Sequence, residues 1–335
     1  MILAVFAVTS LVVLLVVAGV VVRRVTRRAQ ESRVRRLSAE HRPLLLALVA
    51  GDPEDARDAA AAVAGLDRAS WRVLEPVVIA LLGKVRGEGR EEVVRLLGAR
   101  GVLARARADL RGRSAVRRAA AADLLGRADA AGGARGLVRL LDDRDADVRQ
   151  VAARALGRIA APAAAPVLLR SLATEPPRVP PATVAQSLLR IGPAGVPDLL
   201  AAVDHPVAVV RSTVVVVLGR LGATAAVPAL CARLREDALT DVRCRAAAAL
   251  GAVGLPAAVP DLVAATSTAS PSALRIAAAR ALGDLGASST LPVLHALLDD
   301  DDVRVANEAG TALLSLGPPP GDVAPRSTPA PVGAR

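Results

Sequence analysis

Three histidines, two cysteines and one lysine are the side chains of this 335-residue sequence best suited to catalysis. His41, His205 and His295 lie far apart, and only His295 has an acidic residue one helical turn on, at Asp299. Two candidate ligands fall short of a metal motif, which needs three or four at defined spacing. Gly83-Lys84 lacks the upstream glycine and the following Ser or Thr of a phosphate-binding loop. Cys231 and Cys244 form no Cys-x-x-Cys pair and have no histidine nearby, which makes them reduced core thiols. No nucleophile elbow is present. The expectation is a chain without catalytic, metal-binding or cofactor-binding residues, and hence not an enzyme.

Arginine is the remaining candidate. Of 43 basic residues only Lys84 is a lysine, a compositional bias that says little about guanidinium chemistry. The net charge of +11 suggests a polyanion until it is divided: residues 23–36 carry seven arginines and one glutamate. These are Arg23, Arg24, Arg27, Arg28, Arg33, Arg35 and Arg36. The remaining +5 is spread over about 300 residues, whereas nucleic-acid binding concentrates charge on one face. One internal pattern stands out, at Arg127, Arg158, Arg190 and Arg220. On helices packed about 10 Å apart they make a basic ladder some ~30 Å long. An arginine near a helix C-terminus suits the dipole or pairs with a neighbour's carboxylate. The sharper reading is an acidic partner segment lying across the ladder.

The elements that must position these arginines recur. Taking Arg149 as a reference, Leu156 stands seven residues on and Gly157 eight on. Arg90, Arg118, Arg211, Arg243 and Arg275 repeat the frame, and Arg57 fits it loosely with Ala64 and Gly65. Reference positions 57, 90, 118, 149, 181, 211, 243, 275 and 306 are spaced 28 to 33 residues apart. Between them lie apolar segments with an early proline, at Pro228, Pro260 and Pro292, where the first-turn amides lack partners anyway. Each unit therefore reads as a proline-bearing first helix, a turn and a second, reference helix ended by Gly222, Gly254 or Gly286. Asp147, Asp241 and Asp302 are expected to cap a second helix or to accept from an arginine of the next unit. Two units depart. Pro181 occupies a reference position after a proline run, with Leu189 in place of the glycine, which must shorten or delay that helix. The last unit fits position 306 from its Leu316-Gly317 end but position 304 from Asp302-Val303-Arg304.

The Asp-Val-Arg triads at 147–149, 241–243 and 302–304, the first two leading into small residues and Leu-Gly, resemble HEAT repeats of the short, phycobilisome-lyase type. The resemblance covers residues 41–317 and implies an all-α solenoid of eight to nine helical hairpins, with the second helices lining its concave surface. HEAT-type deoxyhypusine hydroxylases carry iron-binding His-Glu dipeptides, and this sequence has none. With 53% hydrophobic but 1% aromatic residues, the core must be built from Ala, Leu and Val. Trp71, the only aromatic outside residues 1–22, reads as packing.

Residues 1–22 contain no charged side chain and would form about 33 Å of helix, long enough to cross a bilayer. The following arginines orient such a helix with the rest of the chain in the cytoplasm, and can rest on anionic headgroups. Residues 23–40 are then a basic juxtamembrane segment, and residues 318–335 a Pro-rich tail with too little apolar content to fold. The expected function is a cell-membrane-anchored, single-pass scaffold binding protein partners, with acidic segments suited to the ladder. The alternatives are a bilin lyase-like, chromophore-handling protein, implied by the repeat type, and nucleic-acid binding through the ladder. The scarcity of aromatics for base stacking counts against the latter.

Overall fold

The computed structural model describes residues 24, 39–50, 52–129 and 131–316. All of its regular elements are helical, and among the described residues no helix is long and apolar enough to cross a membrane. The membrane span expected over residues 1–22 and the Pro-rich tail expected over 318–335 lie outside the described residues. Of the seven arginines between positions 23 and 36, expected to lie beside a membrane, only Arg24 is described, exposed and helical. The chain divides into two units, one up to Gly112 and one from Arg113 onward.

The first unit holds α1 (Arg42–Ala50), α2 (Pro53–Ala64), α3 (Arg68–Leu81), α4 (Gly87–Ala99) and α5 (Val102–Asp109). Helices α1 and α2 pack on each other and both pack on α4. Gly89 permits the close approach: a Cβ there would lie 2.9 Å from the Leu48 carbonyl oxygen. Asp67 caps α3 by accepting from the amides of Ala69 and Ser70.

The second unit is a helical-repeat solenoid. Its second helices are α6 (Ala115–Arg127), α8 (Ala146–Arg158), α10 (Pro181–Ile191), α12 (Ala208–Arg220), α14 (Thr240–Val253), α16 (Ser272–Leu285) and α18 (Val303–Leu316). The first helices between them are α7 (Ala134–Leu140), α9 (Ala165–Arg170), α11 (Val196–Ala201), α13 (Val227–Glu236), α15 (Val259–Ala265) and α17 (Leu291–Ala296). Each second helix packs on the next second helix and, from α8 onward, on its own first helix, which makes two layers. Proline occupies the first turn of α9, α11, α13, α15 and α17, as the sequence led us to expect.

The frame is a packing code. The leucine at +7 is at most 1% exposed from Leu125 through Leu156, Leu188, Leu218 and Leu250 to Leu282. Burying such a side chain contributes about 1.5–3 kcal/mol. The small residue at +8 sets helix separation. A Cβ on Gly126, Gly157, Gly219, Gly251 or Gly283 would come within 2.6–2.9 Å of the Ala or Ser at +6 on the next second helix. These contacts explain how the core does without aromatics. They also fix the register of the last unit: Gly283 meets Ala312, which is +6 from position 306 and not from Arg304.

The position at +11 turns the chain out of each second helix with positive φ. Glycine supplies it at Gly222, Gly254 and Gly286, whereas Asp129 (53°) and Ala160 (49°) adopt it without glycine's freedom. At the departing unit, α10 begins at its reference residue Pro181, while its neighbours begin three residues before theirs. The proline run removes about one turn, as expected.

Candidate functional site

The reference arginines are structural, and their acceptors differ from those expected. Arg118 donates through Nε and a terminal nitrogen to both carboxylate oxygens of Asp143, each at 2.7 Å. Arg211 does the same to Asp237, and Arg275 to Asp300. Each acceptor stands six residues before the next reference position and also accepts a backbone amide two residues on. A further guanidinium nitrogen returns to the arginine's own loop, as from Arg275 to the Ser270 carbonyl. Each arginine thus ties the start of one second helix to the turn of the following unit. Burial pushes the Asp143 and Asp237 carboxyls up, but the bonds from arginine and backbone outweigh it and hold both below the ordinary carboxylate range. At Asp300 the bond from Arg275 is the largest influence and acts in the same direction.

Among the described residues no arginine of a neighbouring unit is seen donating to Asp147, Asp241 or Asp302; the other expected role, capping, is filled by Asp302, which directly precedes α18 and accepts the Arg304 amide. The cap of α8 is Asp145, which accepts from the amides of Asp147 and Val148. Asp241 pairs with Arg245 one turn along its own helix. Asp302 accepts from the amide and the guanidinium of Arg304. Arg149 and Arg243, whose following units carry no aspartate at the −6 position, find carbonyls instead. Arg149 donates to that of Arg178, and Arg243 to that of Leu234.

The four-arginine ladder divides in two. Arg127 and Arg158 both reach Asp123, at 2.9 and 2.7 Å, so this half is an ion-paired stack across α6 and α8. At Arg127 and Arg158 the pairing is that of the first reading, an arginine answered by a carboxylate. Arg190 and Arg220 are exposed and have no ion-pair partner among the described residues. Sequence reasoning missed Arg154, one turn before Arg158 on the same helix and also exposed.

Beside Arg220 the second-helix layer opens into a groove of about 720 Å³ between α10, α12 and α14. Leu189, Val209, Val216 and Leu239 give it apolar walls, and the Asp241–Arg245 pair lies at one side. Two substitutions in the frame account for its place. Leu189 replaces the glycine at +8 on α10, and Val217 replaces the small residue at +6 on α12. The close approach seen at the other second-helix pairs is therefore missing there. The lost first turn of α10 widens the gap further.

The other sequence candidates have ordinary surroundings. His205 accepts the Val207 amide through Nδ1, and His295 and Asp299 are both exposed. Among the described residues no group of three or more His, Cys, Asp or Glu is placed to hold a metal ion. Cys231 is buried and unpaired; burial, then a hydrogen bond to Asp261, pushes its thiol up to about 12. Cys244 is free and half-buried. Trp71 is buried in the first unit, beneath the Arg100 guanidinium, whose carbon lies 4.8 Å from the ring centre.

The family model for HEAT repeats matches residues 110–189 and 227–315, which is half of the chain. The chain belongs to the HEAT-repeat family. A PBS lyase HEAT-like repeat is matched at residues 210–236, in keeping with the short type read from the frame. No curated protein matches the sequence. Among solved structures, human deoxyhypusine hydroxylase is similar at 20% identity over 78% of this chain and 96% of that one, with a TM-score of 0.34. The CpcE–CpcF complex of phycocyanin lyase from Nostoc is similar at 22% identity over 72% and 94%, with a TM-score of 0.29. An importin beta structure is similar at 13% identity over 82% of this chain and 48% of that one, with a TM-score of 0.49. No activity follows from likeness at this level. The departures at Pro181 and Leu189, which open the groove, are particular to one of these HEAT repeats.

Proposed function

We propose that the chain is a non-catalytic scaffold whose HEAT solenoid holds an acidic protein segment along the second-helix layer, in the groove between α10, α12 and α14. The observation that supports this is the exposure of Arg220, without a carboxylate partner among the described residues, at the groove's apolar walls, with the exposed Arg190 on α10, one of the helices that form it. Apolar contact supplies affinity and unpaired guanidiniums select carboxylates, by bidentate bonds that lysine would not make as well. The uncharged segment 1–22 and the arginines after it support membrane anchoring, with the solenoid in the cytoplasm.

Charge reversal tests the reading. The Arg190→Glu/Arg220→Glu variant should retain the fold and lose at least about tenfold in the recovery of partners crosslinked in membranes. Arg139→Glu/Arg170→Glu changes the net charge equally on exposed first-helix positions and should leave recovery unchanged. Equal loss from both variants would reduce the effect to bulk charge and remove the groove from the account.

A further inference from the structure

The first unit contains a second cleft, of about 840 Å³, along one face of α3. Arg68, Arg72, Arg100 and Arg105 surround it, with Glu75 as its only carboxylate. Glu75 is already taken, because Arg105 donates to both of its oxygens at 2.8 and 2.7 Å. Arg100 is also committed: it lies over Trp71 and donates to the carbonyls of Val63 and Leu66. The floor beneath has donors to spare, since the buried Trp71 Nε1 and Arg100 Nε have no hydrogen-bond partner. Arg68 and Arg72 remain, exposed and without ion-pair partners among the described residues. They stand one turn apart on the same helix, a like-charge spacing that destabilises a helix unless an anion bridges it.

We infer that this cleft binds a phosphate group, bridged by Arg68 and Arg72 over the Arg100–Trp71 stack. A cleft whose free groups are all donors or cations takes an acceptor-only ligand. A phosphate monoester fits better than a single carboxylate, because its near-double charge and three oxygens answer two guanidiniums at once. The phosphate can come from a free ester or from a lipid headgroup. This site is independent of the groove in the second unit.

Trp71 is the only tryptophan and the chain has no tyrosine, so its emission reports on this cleft alone. The full-length chain in phosphatidylcholine nanodiscs is titrated with inorganic phosphate. It is also compared with the same chain in nanodiscs containing phosphatidic acid. A saturable change in emission with inorganic phosphate supports the site and identifies a free ester as sufficient. A change confined to phosphatidic acid supports the site and identifies the lipid. In either arm Arg68→Glu/Arg72→Glu should weaken the response by about tenfold or more, with an unchanged melting curve as the control for folding. Emission that ignores both phosphate sources overturns the inference, as does a response that survives the double variant. A response to polyglutamate alone overturns it in favour of an acidic peptide.

Discussion

Gly219 cannot become alanine without displacing Ala249, whose Cα and Cβ would both lie 2.6 Å from the new methyl group. The obstacle is backbone, so Gly219→Ala should cost about 1–3 kcal/mol, seen as a lower thermal midpoint. Gly98 occupies the same frame position in the first unit but is exposed, with nothing within 4 Å of a built Cβ. There the same substitution should stabilise by about 0.5–1 kcal/mol, because glycine in a helix interior is costly. Equal effects at the two sites would show that +8 does not set helix separation. Ala160 gives the opposite case. It is exposed and holds φ at 49°, where glycine serves other units, so Ala160→Gly should raise the midpoint by about 0.5–1 kcal/mol equivalent. The need for small residues at +8 was legible in the sequence because Leu-Gly recurs at a constant offset from arginine. Which turns hold positive φ without glycine was not, since neither Asp129 nor Ala160 announces it.

At the scale of elements, stacking depends on arginine–aspartate ties between consecutive units. Asp237 is fully buried at its side chain, and Arg211 is 11% exposed. Removing the charge with Asp237→Asn leaves the guanidinium half-answered and should cost about 3 kcal/mol. The pH dependence follows from the direction of the shifts. Asp143, Asp237 and Asp300 have carboxyls below their ordinary value in the folded chain, and ordinary ones, near 3.9, when unfolded. Their contribution is therefore complete above about pH 4 and is lost as the pH falls through the folded values. Thermal melts between pH 7 and pH 3 should steepen below 4, and Asp237→Asn should lose part of that slope; a variant with the full slope would remove this tie from the account. The sequence made the donors visible through their period. It hid the acceptors because the recurring Asp-Val-Arg triad drew attention to Asp147 and Asp241, while Asp143 and Asp237 sit four residues earlier. The signal was available: an aspartate 25 or 26 residues after a reference arginine, at 143, 237 and 300.

For the whole molecule, helix type, repeat length and the delayed start at Pro181 were readable from periodicity and proline chemistry, because both act locally. The groove was not. It arises where two helices fail to approach, from Leu189 on one and Val217 on the next, and neither residue marks it alone. The division within the ladder was hidden for a similar reason: Asp123, one turn before Arg127, answers two of its arginines across a helix boundary. What remains is the exposed Arg220 at an apolar groove, with Arg190 on one of the helices that form it, and the central claim is that an acidic protein segment occupies that groove. The most direct test places a photoreactive residue at Val216, inside the groove, or at Arg139, on the first-helix layer, in the full-length chain. The account predicts a discrete adduct with an acidic segment from position 216 only, lost in the Arg190→Glu/Arg220→Glu background. Equal adducts from both positions, or an adduct from 216 that survives charge reversal, would contradict it.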